Sequence, residues 1–247
     1  LTINGEPLYF KGVAWNPYGV GTSPNFGHAA QFAQYVDEDS RLMRAAGINL
    51  VRTYSSITST AVLDTLWANG IYVLMTIFYD AQWGDTVATA ADRACALKAH
   101  PAIVAWLVMN EPNYYYGSAN YRTDAEAAVQ AIKAVDSSRP VAVCWGELPT
   151  AADLAAIPSA DVWGTNMYRG ATFGTAFTAW AALSDKPWLI SEYGADSYSS
   201  VLGAEDEQTH ATEVAGLYSA LQPHRAAEGG ALLGGVLFEW ADEWWKV

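Results

Sequence analysis

The chain has 247 residues, 51% hydrophobic and 16% charged, with a formal net charge of -13. That much apolar content excludes a disordered chain, and 26 acidic against 13 basic residues make nucleic acid or an anionic membrane a poor partner. No apolar run reaches the ~18 residues of a membrane helix, and the 11 Trp, 14 Tyr and 7 Phe suit a wet, ring-stacking ligand site.

In chain order, Asn4-Gly5 predicts a tight hairpin turn. Eight apolar, β-branched or aromatic runs follow: Leu8–Trp15, Ile48–Tyr54, Ile71–Phe78, Ile103–Met109, Val141–Trp145, Val162–Tyr168, Trp188–Tyr193 and Leu233–Trp240. Helical periodicity fills the intervals at Ala30–Ala46, Ser59–Asn69, Thr86–His100, Arg122–Asp136, Thr150–Ile157, Phe173–Ser184 and Asp206–Glu228. Several helices stop at Gly or before Pro, as in AAG before Ile48, ANG before Ile71 and SSRP before Val141. Strands that are apolar on both faces, each followed by a helix, predict a parallel sheet covered by helices. Eight units in this length predict one α/β domain, a (β/α)8 TIM barrel over residues 1–247. No Gly-rich phosphate loop follows the first run, which counts against a dinucleotide fold. Residues 241–247 are too few for a standard eighth helix. Cys95 and Cys144 are expected to be buried free thiols.

In such barrels the reactive groups stand at the C-terminal ends of the strands. Those ends read Trp15-Asn16, Arg52-Thr53-Tyr54, Tyr79-Asp80, Asn110-Glu111-Pro112, Asn166-Met167-Tyr168, Ser191-Glu192-Tyr193-Gly194 and Glu239-Trp240. Glu111 and Glu192 each end an otherwise uncharged strand, the fourth and the seventh, which face one another across the barrel mouth. Two carboxylates about 5 Å apart suit double-displacement glycoside hydrolysis, in which one attacks the anomeric carbon and the other donates and then recovers a proton.

On these residues the chain resembles the catalytic barrel of the clan A retaining glycoside hydrolases. Ala99–Pro112, AHPAIVAWLVMNEP, is similar to the acid/base segment of family 2 barrels, and Ser191–Asp196, SEYGAD, to their nucleophile segment. Asn4–Val13, NGEPLYFKGV, resembles the stretch leading into those barrels. Family 2 enzymes carry β-sandwich domains ahead of the barrel, and none is read here. They usually carry a His soon after the strand-two Arg. Here VRTYSSITST stands there, and with FKGVAWNPYG and WANGIYVLM it resembles family 72 and related β-1,3-glucan-acting barrels. The resemblance implies that Glu192 is the nucleophile, Glu111 the acid/base and Asn110 the partner of the sugar 2-hydroxyl. It implies that Arg52 and Tyr168 contact Glu192, and that Trp240 floors the sugar.

Further substrate ligands are expected at Asn16, Asp80, Asn166 and Glu239, with ring stacking from Trp83 and Tyr115 and candidate stacking from Trp15, Tyr18, Tyr114 and Tyr116. Trp244 and Trp245 suit packing as well as a subsite. Arg41 and Arg44 with Asp37, Glu38 and Asp39 read as a solvated helix face. His28, His100, His210 and His224 show no metal-ligand spacing, so no metal and no cofactor are expected. The function expected is a retaining β-glycosidase acting on a β-linked, glucan-like saccharide, with β-1,3-glucan transglycosylation as the alternative and a non-catalytic carbohydrate-binding barrel as a third reading. A carbohydrate substrate, an extracellular or periplasmic location and further domains outside this chain accompany that expectation.

Overall fold

The computed structural model describes residues 2–3, 5–79, 84–116 and 119–246. Asp80 and Trp83 lie outside them. The short strands Thr2–Ile3 and Glu6–Pro7 pair antiparallel, with Gly5 at φ +85°. The barrel strands are β1 (Phe10–Ala14), β2 (Leu50–Arg52), β3 (Tyr72–Phe78), β4 (Ile103–Val108), β5 (Val141–Gly146), β6 (Val162–Asn166), β7 (Trp188–Tyr193) and β8 (Leu232–Leu237). They run parallel in chain order and close through β8 pairing with both β7 and β1. Among the described residues the outer helices are α1 (Phe32–Ala45), α2 (Thr60–Ala68), α3 (Val87–Leu97), α4 (Tyr121–Val135), α5 (Ala151–Ala156), α6 (Ala176–Leu183) and α7 (Glu207–Leu221). Residues 238–246 follow β8 as turns and irregular chain. The fold is the expected (β/α)8 barrel.

Alternation along each strand builds two cores. Phe10, Leu50, Leu74, Val104, Leu107, Ala142, Leu189 and Leu233 turn inward and fill the barrel. Val13, Val51, Val73, Trp106, Val143, Trp163 and Trp188 turn outward against the helices. The helices answer at helical spacing: α1 buries Phe32, Val36, Ser40 and Met43, and α4 buries Ala125, Ala128, Val129 and Ile132. Reciprocal side-chain bonds start α3 at Thr86 and Thr89 and α5 at Thr150 and Asp153. Closure demands a glycine at Gly234, where φ is +147° and a Cβ would stand 2.1 Å from the Phe10 carbonyl oxygen.

Three expectations are corrected by this packing. Trp15 stacks on no cavity: it is 1% exposed, packs against Phe32, and donates its indole N–H to Asp39 at 2.8 Å. Asp39 is therefore a partner for the core, not part of a solvated face. Cys95 is exposed on α3, while Cys144 is buried and free.

Candidate active site

The barrel mouth opens into a cavity of about 740 Å³. Asn16, Tyr54, Asn110, Glu111, Glu192 and Glu239 face it, joined at the rim by Tyr115 and Trp245. Glu192 is the penultimate residue of β7 and is 6% exposed. Three donors converge on it. Arg52 Nη1 reaches Oε1 at 2.8 Å, the Tyr54 hydroxyl reaches Oε1 at 2.7 Å, and the Tyr168 hydroxyl reaches Oε2 at 2.8 Å. An ionised carboxylate is acceptor-only, so this arrangement suits its charged form.

Arg52 is fully buried and also donates to Asn166 Oδ1 at 3.1 Å, the Ser191 carbonyl at 2.8 Å and Asn110 Oδ1 at 2.5 Å. Burial opposes its charge, but the Glu192 carboxyl at 2.8 Å pairs with the guanidinium, which stays protonated. Asn110 Oδ1 further accepts from Asn166 Nδ2 at 3.1 Å. With that oxygen occupied from below, the Asn110 NH2 group turns toward the Tyr79 hydroxyl and the cavity. Beneath, the Cys144 thiol lies 3.2 Å from Asn166 Oδ1 and 3.2 Å from Ser191 Oγ. Burial pushes that thiol up to about 11. It stays neutral, a small donor in the layer under the carboxylate.

Glu111 is held differently. It lies beyond the end of β4, at φ +48°, and begins a helical turn, Pro112–Tyr115. Its N–H bonds the Cys144 carbonyl at 3.1 Å, which ties this left-handed residue to β5. Tyr114 packs against Gly146, where a Cβ would stand 2.2 Å from the ring, so the turn is docked on the neighbouring strand. Glu111 is half-buried, and burial followed by the charge of Glu192 raises its pKa above the usual carboxylate range, against the lowering pull of Asn166, Arg52 and Lys246.

The other expected ligands separate. Asn16 faces the cavity and accepts from Ser55 at 3.1 Å. Glu239 faces it too, beside Glu243. Burial and then Glu243 raise the Glu239 carboxyl strongly. Tyr115 stands at the rim, 72% exposed. Tyr18 lines the cavity and meets Trp245 edge-on at 5.1 Å, whereas Trp244 donates to the Thr22 carbonyl. Tyr116 packs inward and donates to Asp124 at 2.9 Å. Asn166 is 2% exposed and braces Arg52 and Asn110, so it is not a sugar ligand. Trp240 is also corrected. It packs against the outer core, and the ring from the end of β8 that faces the cavity is Phe238, edge-on to Tyr54 at 6.1 Å and to Tyr168 at 6.4 Å. Sequence reasoning did not assign Tyr54, Tyr79, Phe238, Glu243 and Lys246 to the site. For Tyr54 the signal was present in the strand-two ending Arg52-Thr53-Tyr54. Among the described residues no group of three or more His, Cys, Asp or Glu is arranged to hold a metal ion, and no helix is long and apolar enough to cross a membrane.

Comparison with known proteins agrees with this geometry. Residues 76–220, more than half of the chain, match the family described as glycosyl hydrolases family 2, TIM barrel domain. The β-glucuronidases of Pongo abelii and Homo sapiens are 29% and 28% identical over 217 residues, covering 79% of this chain and 32% of theirs. The chain thus spans about a third of the length of the curated relatives it matches. Among solved structures, an uncultured Clostridium β-glucuronidase superposes with a TM-score of 0.68 at 20% identity, covering 96% of this chain and 44% of that one. Saccharomyces cerevisiae Gas2p in complex with laminaritetraose and laminaripentaose gives a TM-score of 0.68 at 16% identity, over 96% of this chain and 57% of that one. These two likenesses concern the fold. The chain belongs to the TIM barrel domain of the glycosyl hydrolases family 2.

Proposed function

We propose that this barrel is the catalytic part of a retaining β-glycosidase acting on a β-linked, glucan-like saccharide. The observation that carries the reading is the difference between its two mouth carboxyls. Glu192 receives three donors, whereas burial and then the charge of Glu192 raise the pKa of Glu111. In the first step Glu192 attacks the anomeric carbon while Glu111 protonates the departing oxygen. Oε1 carries two donors and Oε2 one, so Oε2 has the freer lone pair for attack. The Asn110 NH2 group is placed to donate to the sugar 2-hydroxyl, and Phe238 and Tyr168 offer rings beside the reacting centre. Once Glu192 is glycosylated its charge is gone, the pKa of Glu111 falls, and Glu111 takes a proton from the incoming water or sugar hydroxyl.

The substrate class rests on the family 72-like segments and on the fold shared with Gas2p, whose structure holds laminari-oligosaccharides. A second reading, hydrolysis of β-glucuronides, is favoured by the relatives' names at up to 29% identity. A polymeric substrate also argues for an extracellular or periplasmic location. The test is product analysis over β-1,3-, β-1,4- and mixed-linkage glucans and an aryl β-glucuronide, with the anomer followed by NMR. Initial release of the β-anomer from a glucan supports the proposal. Products longer than the substrate identify transfer, α-anomer release contradicts the mechanism, and turnover confined to the glucuronide replaces the substrate.

A further inference from the structure

Among the described residues five carboxyl groups face the mouth cavity: Asp85, Glu111, Glu192, Glu239 and Glu243. Two cations, Arg93 and Lys246, face it with them, and Arg52 lies beneath Glu192. Each of the three cations is already engaged. Arg93 pairs with Asp85 at 2.5 Å, Arg52 pairs with Glu192 at 2.8 Å, and Lys246 pairs with Glu243. The described residues include every Lys, Arg and His of the chain, and among them no cation facing the cavity is left without a carboxylate partner. Glu111 and Glu239 form no ion pair among the described residues.

A sugar that carries its own carboxylate would enter a cavity with no free counter-charge. It would have to displace an existing ion pair or meet like charge at short range. A neutral sugar meets no such obstacle. Its hydroxyls can donate to the carboxylates and to the Ser55 and Ser56 hydroxyl oxygens, and accept from the Asn16 NH2 group, along the same wall. Of the three cations, Lys246 is the one that could most readily be released. It is exposed, sits at 5.2 Å over the Phe238 ring, and is held three residues from Glu243.

We propose that this site selects a neutral β-glycoside over a β-uronide, and that the Glu243–Lys246 pair sets the selection by cancelling the one mobile cation near the reacting centre. The inference rests on the glycosidase reading above and separates this chain from the activity in its relatives' names.

The test uses the chain as it stands with 2,4-dinitrophenyl 2-deoxy-2-fluoro-β-glycosides, in gluco and galacto pairs. Each pair is made with CH2OH, carboxylate or carboxamide at C6. Covalent labelling of Glu192 is timed by mass spectrometry. The neutral reagent of the reactive pair is expected to label at least about tenfold faster than its carboxylate. The carboxamide should follow the neutral reagent, which separates charge from size. Glu243→Gln should shift the ratio at least about fivefold toward the carboxylate by freeing Lys246, and Lys246→Met should shift it the other way. Equal or faster labelling by the carboxylate reagent overturns the inference and leaves the glycosidase reading intact. A ratio unmoved in both variants, with circular dichroism showing both folded, removes the pair as its cause. No label on Glu192 from any reagent overturns the glycosidase reading and the inference with it.

Discussion

The ends of β4 and β7 each present a glutamate to one cavity, yet the chain treats them in opposite ways. Glu192 lies within its strand, buried, under Arg52, Tyr54 and Tyr168. Glu111 lies past its strand, half-buried, in a left-handed backbone conformation, with Asn166 as its side-chain donor. A carboxylate that receives three donors is fixed in one orientation. A half-buried carboxyl beside it has its pKa raised, first by burial and then by the charge of its neighbour. One residue type thus meets two environments at one mouth.

Removing each glutamate should break this contrast most severely. Glu192→Ala should lower kcat/KM by about 10⁴–10⁶-fold on every substrate, the range seen when a nucleophile is deleted. Added azide should give an α-glycosyl azide if it gives any product. Glu111→Ala should lose about 10²–10⁴-fold where the leaving group needs a proton, and much less on a dinitrophenyl glycoside. There, azide should restore turnover with a β-glycosyl azide. NMR of the azide products checks both, and the reverse pattern exchanges the two roles.

Arg52 gives a structural version of the same comparison. Arg52→Met leaves Glu192 buried without its cation, and breaking a buried pair costs about 3–5 kcal/mol. The same variant leaves Asn166 Nδ2 as the remaining amide donor to Asn110 Oδ1, so the Asn110 amide is held less firmly. Denaturant unfolding should show the stability loss, and activity should fall even at temperatures where the variant stays folded. Unchanged stability would mean that the clamp is not what holds Glu192.

The two glutamates were legible because each is a lone charge ending a run apolar on both faces, which in a parallel barrel means the mouth. Arg52 was legible as the lone charge ending the second run, and Asn110 through the resemblance of AHPAIVAWLVMNEP to the family 2 acid/base segment. The apolar side of the site was not. Which residue at the end of β8 looks inward depends on register shifts around Gly235 and on the backbone at Gly234, and a slip of one residue exchanges the two faces. Sequence alone therefore placed Trp240 where the structure has Phe238. Trp15 could have been placed by alternation. It shares a face with Val13, which packs outward, while Phe10 and Ala14 turn in. Cys95 likewise lies just off the face of α3 that Ala90, Ala94 and Leu97 bury. The Glu243–Lys246 pair forms no part of any strand or helix, so no periodicity pointed to it.

The raised pKa of Glu111 makes a smaller prediction about stability. The folded chain binds that proton more tightly than the unfolded chain does, so the contribution is complete below about 4.5 and is lost as pH rises through the folded value. At neutral pH Glu111 therefore costs stability, partly screened by solvent. Glu111→Gln should raise the Tm by at most the ~2–4 °C that about 1 kcal/mol moves a domain of this size. The gain should vanish below about pH 4.5, where both variants are uncharged at this position. A gain that persists there would show that packing, not ionisation, is responsible.

The smallest effect belongs to Tyr115, which follows Glu111 at the rim of the same turn but touches neither the clamp nor the layer beneath it. Its ring is 72% exposed, so it already stands in water and its removal leaves no core cavity. A sugar laid on one face would cover roughly 40 Å², which at about 25 cal/mol per Å² is about 1 kcal/mol, or about fivefold in affinity. Tyr115→Ala should therefore raise KM about fivefold for glucan oligosaccharides long enough to reach the rim. An aryl monoglycoside, confined to the sugar position at the glutamates, should be unaffected. Phe238→Ala makes the opposite case: that ring lies between Tyr54 and Tyr168, beside the reacting centre, and its loss should weaken short and long substrates alike. If Tyr115→Ala weakens the monoglycoside as much as the oligosaccharide, the turn reaches further into the site than its exposure suggests, and the contrast between the clamped Glu192 side chain and the sparsely bonded Glu111 side chain is too sharply drawn.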